Sequence, residues 1–326
     1  MVDSGVDGSL TQLAGHVSVG ADVVSGNGRG DVDCLGTGTG MAAIIAARPG
    51  KNNALAGVAP NATVMPVRVV TTSAKAQADD EATAISVATA SGATVVALGS
   101  YVDTSDVKVI AAIQQAVSHD VVVVCAAPAP TAPVSTDTTL PSQGVLRVGG
   151  VGEDGQPTSS YKPGTVDVQA PGSRVSTLGL TGTGTVLATG TQYAVAFVAG
   201  EAALIRAAYP SLPAAGVTAR VEQTAKTPAG TSGGAKLMDV QVALTAALSA
   251  DDLGGPRNGG GASVTTGGGR VILLGLIGLV LLIALVLLVS RVRRLLRADG
   301  DAAAYAEDES AASPPWPVPP EAPAAK

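Results

Sequence analysis

The sequence predicts an α/β fold in which helices cover a parallel β-sheet. Short runs at residues 64–70, 93–98 and 121–127 are almost continuously apolar, which is typical of strands buried on both faces. Between them, residues 82–91 and 107–118 carry apolar side chains at helical spacing. This alternation of strand and helix patterns favours a parallel sheet with helical crossovers.

The composition agrees with such a fold and argues against one class of partner. The 41 glycines and 20 prolines among 326 residues separate the short apolar runs, as turns do in α/β proteins. Only 2% of residues are aromatic, so aliphatic side chains must build the core. The formal net charge is −6, and this balance predicts no nucleic-acid partner.

Cysteines and acidic clusters give no sign of a metal or cofactor. The two cysteines, Cys34 and Cys125, do not form a disulfide framework, and we expect two small buried residues, with their pairing left open. Asp79, Asp80 and Glu81 open a predicted helix. Acids at that position usually complement the helix dipole at the surface. We therefore predict no metal site and no cofactor.

The C-terminal part of the chain predicts a membrane anchor. Residues 249–270 are glycine-rich and read as a flexible linker after a domain that spans residues 1–248. Residues 271–290 carry no charge and, at about 1.5 Å per residue, are long enough to cross a bilayer core of about 30 Å as a single transmembrane helix. Arginines follow at once, in the first part of residues 291–326, and an Ala/Pro/acidic tail ends the chain. The positive-inside rule places this basic flank and disordered tail in the cytoplasm and the domain outside.

The start of the sequence raises a question about export. No secretory signal precedes Asp3, and the strand that should carry Asp3 has almost no residues. A buried sheet that lacks a strand would leave backbone groups unpaired. We therefore expect a signal peptide and a fuller first strand to be encoded upstream of Met1, and location of the domain outside the membrane requires such a signal.

Several motifs within residues 1–248 resemble, in the right order, those of the subtilisin-like serine proteases, the subtilases. They are an aspartate motif at residues 2–7, a histidine-type helix at 33–47, the segments 57–62 and 66–69 that follow it, an Ala-Pro-Gly turn at 168–172 and the helix after the nucleophile at 192–210. Together with the predicted anchor, the set resembles the mycosins, membrane-anchored subtilases of actinobacterial type VII secretion systems. The resemblance implies a subtilisin-like fold and partners among the membrane components of that machinery.

The same resemblance identifies four catalytic-type positions, of which only one keeps the family's residue. Asp3 stands at the aspartate position of the triad. Thr37 replaces the histidine, Gln192 replaces the nucleophilic serine, and Ala129 replaces the oxyanion asparagine. A hydroxyl is too weak a base near neutral pH, and an amide does not attack a peptide carbonyl. Loss of one oxyanion donor alone typically costs about 10²–10³ in rate.

No other residue is expected to restore this chemistry. His16 lies in a glycine-flanked segment that we predict to be a surface loop. His119 precedes a strand, away from the carboxyl edge where the sites of open α/β sheets form. Both are expected to be ordinary surface histidines. Tyr101 replaces a glycine of the family's substrate pocket, and it either obstructs that pocket or turns to solvent.

The sequence therefore predicts a catalytically inactive subtilase that acts as a membrane-anchored scaffold, with a cleft able to hold a peptide without cutting it. Two alternatives stay open at this point. One is an active serine endopeptidase of the mycosin family that uses residues not recognised here. The other is a truncated product that does not fold.

Overall fold

The structure, a computed structural model, describes residues 1–50, 55–131, 139–180, 184–227, 235–249 and 253. Its elements are β1 Val2–Asp3, β2 Ala21–Asp22, α1 Thr37–Ala46, β3 Val67–Arg68, α2 Ala78–Ala90, β4 Val95–Ala97, α3 Val107–Ser118, β5 Val122–Ala126, β6 Val145–Val151, β7 Val168–Pro171, β8 Val175–Leu178, β9 Thr185–Ala188, α4 Thr191–Ala208, α5 Ala214–Thr224 and α6 Val240–Thr245.

The predicted parallel sheet is confirmed. Strands pair in the orders β1-β3-β2 and β4-β5-β6-β7, and every pair in these two sheets is parallel. A parallel bridge between Val2 and Leu98 joins the two sheets side by side. Strands β8 and β9 form a separate antiparallel pair.

Helices cover both faces of the sheet, which explains the continuous apolar runs. Val122 and Val124 of β5 belong to one core cluster, together with buried residues of α1 and α4. Val123 and Cys125 point the other way, into the cluster built by α2 and α3. Because successive residues of one strand enter two different cores, both sets of side chains must be apolar.

The observed helices lie close to the predicted ones, and one strand is much shorter than predicted. Helix α3 spans the predicted residues, and Asp106 caps it by accepting the Lys108 N–H at 2.8 Å. The run 64–70 contributes only Val67–Arg68 as a strand. Pro66 lies just before this strand and has no N–H for a sheet ladder.

The expectations for Cys34 and Glu81 were wrong. Cys34 is exposed, whereas Cys125 is buried, and both are free. The Asp33 carboxylate accepts the N–H groups of Leu35 and Gly36, each at 2.9 Å, and this tight turn leaves Cys34 on its outer side. Glu81 is only 4% exposed rather than a surface charge, and its Oε2 accepts the Asp103 N–H at 2.7 Å.

The predicted linker, transmembrane helix and tail cannot be compared with the structure, since nearly all of residues 249–326 lies outside the described residues. Within the residues that the structure describes, none of the helices combines the length and the apolar character needed to cross a membrane. The strand that carries Asp3 is present as the two-residue β1, and it pairs in parallel with β3.

Candidate functional site

The candidate site lies at the carboxyl edge of the parallel strands. Strand β1 ends at Asp3, and the residues at 99–101 follow Leu98 just beyond the end of β4. Helix α1 begins at Thr37, whose side chain contacts Asp3. Because all strands of the sheet are parallel, their carboxyl ends share one edge, where α/β proteins usually place their sites.

Asp3 is the buried centre of this site. Its side chain is fully enclosed, and its oxygens accept a short hydrogen bond from the Thr37 hydroxyl and a bond of 3.1 Å from the Ser100 N–H. Burial raises the pKa of Asp3, and the hydrogen bonds from Thr37, Ser4 and Ser100 oppose that rise. The backbone of Gly99 touches the carboxylate so closely that a Cβ there would lie 1.8 Å from Asp3 Oδ2.

Hydroxyl groups cluster around Thr37 beside the Asp3 carboxylate. Thr37 Oγ1 lies 2.9 Å from Ser4 Oγ and 3.4 Å from the Tyr101 hydroxyl. A threonine hydroxyl has one hydrogen, which here goes to Asp3, and the Ser4 side chain also hydrogen-bonds to that carboxylate. Ser4 Oγ in turn accepts the Gly38 N–H at 3.0 Å. The hydroxyl of the half-buried Tyr101 therefore lies towards Thr37.

The start of α4 adds an amide and a phenol to the same region. The Gln192 amide folds back against Gly190, since a Cβ on Gly190 would lie 2.2 Å from Gln192 Oε1. Tyr193 is buried, and burial together with the nearby Asp3 carboxylate raises the pKa of its hydroxyl, while a hydrogen bond with Gln192 opposes the rise. Gln192 thus contributes hydrogen bonding at the start of α4.

The remaining predicted residues lie apart from this cluster. Ala129 follows β5 and is exposed, and its methyl group offers no hydrogen-bond donor. His119 is exposed at the end of α3, as predicted. The prediction for His16 was wrong: it is only 7% exposed, with Nδ1 3.2 Å from the Ala62 carbonyl and Nε2 bonded to the Arg48 guanidinium. Among the described contacts, neither histidine reaches Asp3.

Sequence reasoning missed several residues that shape the site. In the sequence, Ser4 stands out only as a neighbour of Asp3. A serine directly after the end of a predicted strand could have indicated a residue of the site. The sequence did not distinguish Tyr193 from the apolar residues of the same helix that pack into the core. Tyr161 also went unnoticed; its hydroxyl lies 2.7 Å from Thr191 Oγ1 and accepts the Gly150 N–H at 2.8 Å, which fixes the start of α4.

The contacts described within this cluster are hydrogen bonds. Asp3, Thr37 and Ser4 form a chain in which each hydroxyl hydrogen has an acceptor. Removing a proton from a hydroxyl near neutral pH needs a positioned general base such as an imidazole, and the carboxylate that would orient it is bonded to Thr37 instead. The arrangement therefore stabilises the junction of β1, α1 and β4.

Comparison with known proteins identifies the class. Residues 1–255 match the subtilase family, Peptidase S8, and the chain belongs to this family. Mycosins of Mycobacterium tuberculosis (strain ATCC 25618 / H37Rv) are among its relatives. Mycosin-1 is 32% identical over 306 residues, covering 75% of this chain and 68% of that protein. Mycosin-3 is 31% identical over 305 residues, covering 74% of this chain and 66% of that protein.

Solved structures of mycosins share the fold. MycP1 with its N-terminal propeptide removed superposes with a TM-score of 0.61 at 28% identity, covering 76% of this chain and 90% of that chain. MycP3 protease from the type VII (ESX-3) secretion system gives a TM-score of 0.57 at 28% identity, covering 76% of this chain and 82% of that chain. The chain spans about two thirds of the length of Mycosin-1 and Mycosin-3.

Proposed function

We propose that this chain is a catalytically inactive subtilase, a pseudoprotease, that serves as a membrane-anchored scaffold and can hold a peptide in its cleft. The observation that carries the proposal is the bond between Thr37 and Asp3. In a serine protease the carboxylate orients an imidazole, and that imidazole takes the proton of the nucleophile. Here a hydroxyl fills the imidazole's place and an amide, Gln192, stands at the nucleophile's place.

The inward position of Tyr101 supports the loss of cleavage. Its hydroxyl lies 3.4 Å from Thr37 Oγ1, so the phenol ring occupies space beside the former catalytic centre. A peptide held in this cleft would have no base, no nucleophile and no side-chain oxyanion donor at its carbonyl. The shape of the cleft and its backbone hydrogen bonding to a peptide can persist without these groups, because both depend on the fold and not on the triad.

The setting of this scaffold is the second part of the proposal. Its similarity to mycosins, with solved relatives from type VII secretion systems, supports a place beside the membrane components of such a system. The uncharged run at residues 271–290 supports a single anchor, with residues 1–270 outside and residues 291–326 in the cytoplasm.

A fluorophosphonate probe, which labels activated serine nucleophiles, tests the loss of chemistry. We expect no labelling of the purified chain. The matched control is the double variant Thr37→His with Gln192→Ser, which restores the base and the nucleophile in the retained frame around Asp3. We expect labelling of this variant above that of Thr37→His alone. Labelling of the unchanged chain, located by mass spectrometry to a residue of this site, would establish the active endopeptidase instead.

A tagged chain in an actinobacterial host tests the scaffold role. We expect the full chain to fractionate with membranes and to co-purify with membrane components of the secretion system. A matched chain that ends at residue 270 should leave the membrane fraction. If the full chain stays in the soluble fraction, or if it co-purifies with none of these components, the anchored scaffold is the wrong interpretation.

A further inference from the structure

The turn that follows strand β2 carries an asparagine directly before a glycine. Strand β2 ends at Asp22, and the turn closes back onto it at Gly28, because the Asp22 N–H donates to the Gly28 carbonyl at 3.1 Å. Asn27 precedes that glycine, and its side chain is exposed. The proposed function does not use this turn.

The groups that could react with each other in this turn are not held by hydrogen bonds. Neither the Gly28 N–H nor the side-chain amide of Asn27 has a hydrogen-bond partner among the residues that the structure describes. The earlier part of the turn is held, since the N–H groups of Ser25 and Gly26 donate to Asp22, at 3.3 and 3.2 Å. A rotation that brings the Gly28 nitrogen towards the Asn27 side chain therefore breaks no bond of either group.

Packing of the turn requires glycine at position 28. A Cβ on Gly28 would lie 2.5 Å from Ser25 Oγ and 2.8 Å from Asp22 Oδ2, closer than these atoms can approach. Glycine also gives the backbone its widest choice of dihedral angles and leaves its nitrogen unhindered. The residue that the packing demands is therefore the one that leaves the Asn27 amide most open to attack by the following nitrogen.

We propose that Asn27 is a site of spontaneous modification, at which its side-chain amide is lost by reaction with the backbone of Gly28. The Gly28 nitrogen attacks Asn27 Cγ and gives up its proton, and the side-chain nitrogen leaves as ammonia, so that a cyclic succinimide forms. Water then opens the ring. Cleavage between the nitrogen and Cγ gives aspartate, and cleavage between the nitrogen and the main-chain carbonyl carbon gives isoaspartate. The sum is water taken up and ammonia released, with no oxidation or reduction.

The modification adds a negative charge to a turn that is built around a buried carboxylate. The Asp22 side chain is only 1% exposed and is paired with the Arg68 guanidinium of β3. Gly28 packs directly against that carboxylate. In isoaspartate the main chain runs through the former side-chain carbon, so it is longer by one carbon and displaces Gly28 from Asp22. The turn should therefore loosen beside β2, the outer strand of its sheet.

The test incubates the purified full chain in detergent and mildly alkaline buffer, and follows each asparagine by tryptic digestion and tandem mass spectrometry. We expect Asn27 to be converted into two products with the mass of aspartate, with the isoaspartate form in excess. Asn61 is the internal control, because it is also exposed but precedes alanine, whose Cβ hinders the attack. We expect its conversion to be at least tenfold slower. Equal rates at the two residues, or no conversion of Asn27, would overturn the proposal.

A variant separates this reaction from other damage during incubation. Asn27→Gln keeps an exposed amide, but its attack by the backbone needs a larger ring, so we expect no product at position 27. Brief trypsin cleavage after Arg29, which is 63% exposed in the same turn, measures the loosening. The incubated unchanged chain should be cleaved faster than the fresh chain, and the incubated variant as slowly as the fresh chain. Equal acceleration in both incubated chains, or product at the same rate in the variant, would contradict the proposal.

Discussion

The Thr37 hydroxyl donates a hydrogen bond to the buried carboxylate of Asp3, and this bond joins the start of helix α1 to the end of strand β1. The bond therefore ties two elements of the candidate site together. Ser4 and Tyr101 complete the surroundings of Thr37. The site is consequently best tested by stability measurements as well as by activity.

Thr37→Val should destabilise the domain by about 1–3 kcal/mol, because it keeps the shape of the side chain and leaves the buried Asp3 carboxylate without a donor. Thr37→Ser keeps the hydroxyl and should cost much less. Urea unfolding followed by circular dichroism gives both values. Equal stability of the valine variant and the unchanged chain would mean that the Thr37–Asp3 bond does not support the fold.

Gly99→Ala should destabilise the domain by about 1–3 kcal/mol or more, because the new Cβ would lie 1.8 Å from Asp3 Oδ2 and one of the two groups must move. Gly184→Ala is the matched control, since a Cβ at Gly184 meets nothing within 4 Å. Thermal unfolding of the two variants checks the difference. Alanine restricts the unfolded chain and by itself favours folding, so a similar loss in both variants would contradict the contact with Asp3 as the cause.

Glu201 should make the stability of the domain fall as the pH rises. It lies fully buried in α4, and both carboxylate oxygens lack a partner among the described residues. Burial, assisted by Asp239, raises the pKa of Glu201 from 4.5 to about 8. The folded chain therefore keeps a proton that the unfolded chain releases, so this contribution is complete below about pH 4.5 and is lost as the pH rises through 8.

Glu201→Gln removes this titration and keeps the side-chain size. We expect the free energy of unfolding of the variant, relative to the unchanged chain, to rise by on the order of 1.4 kcal/mol per pH unit between these limits, and to level off above them. Urea titrations at several pH values measure it. The exposed Glu153→Gln should follow the unchanged chain. A Glu201→Gln difference that is constant with pH would contradict the prediction.

The two cysteines should differ sharply in reactivity. Cys34 is exposed, whereas Cys125 is buried in the sheet, and burial raises the pKa of the Cys125 thiol to about 12. Iodoacetamide reacts with thiolates, so the folded protein should gain one adduct and the unfolded protein two. Intact-mass spectrometry counts them, and Cys34→Ser should remove the adduct of the folded protein. Rapid labelling of Cys125 without denaturant would show that β5 opens readily.

Much of the fold could be predicted from the sequence because its signals are local. The valine-rich run of β5 and the helical spacing of α3 reflect burial on both faces of one sheet. The buried positions of His16 and Glu81 were not predictable, because each depends on a partner far along the chain, Ala62 for His16 and Asp103 for Glu81. A single residue in polar or glycine-rich sequence does not reveal whether its side chain is buried in the fold.

The candidate site also has features that the sequence predicts and features that depend on contacts between distant parts of the chain. Motif order along the chain was sufficient to place Thr37 beside Asp3 and Gln192 at the start of α4. The inward direction of Tyr101 was not decidable, since a tyrosine after a strand satisfies its hydroxyl equally well in water. The contact with Thr37 settles its direction, and it arises only when β4 and α1 meet at the sheet edge.

The central place of β1 also governs how the domain folds. Strand β1 is flanked by β3 and β4, which follow it much later in the chain, so neither of its contacts is local. The chain must close these long loops before the strand contacts form, and the entropy lost in loop closure slows folding. During synthesis, the Asp3 segment must wait until β4 has emerged from the ribosome before both its neighbours exist. A chain whose β1 segment is still unpaired is exposed to aggregation during this wait.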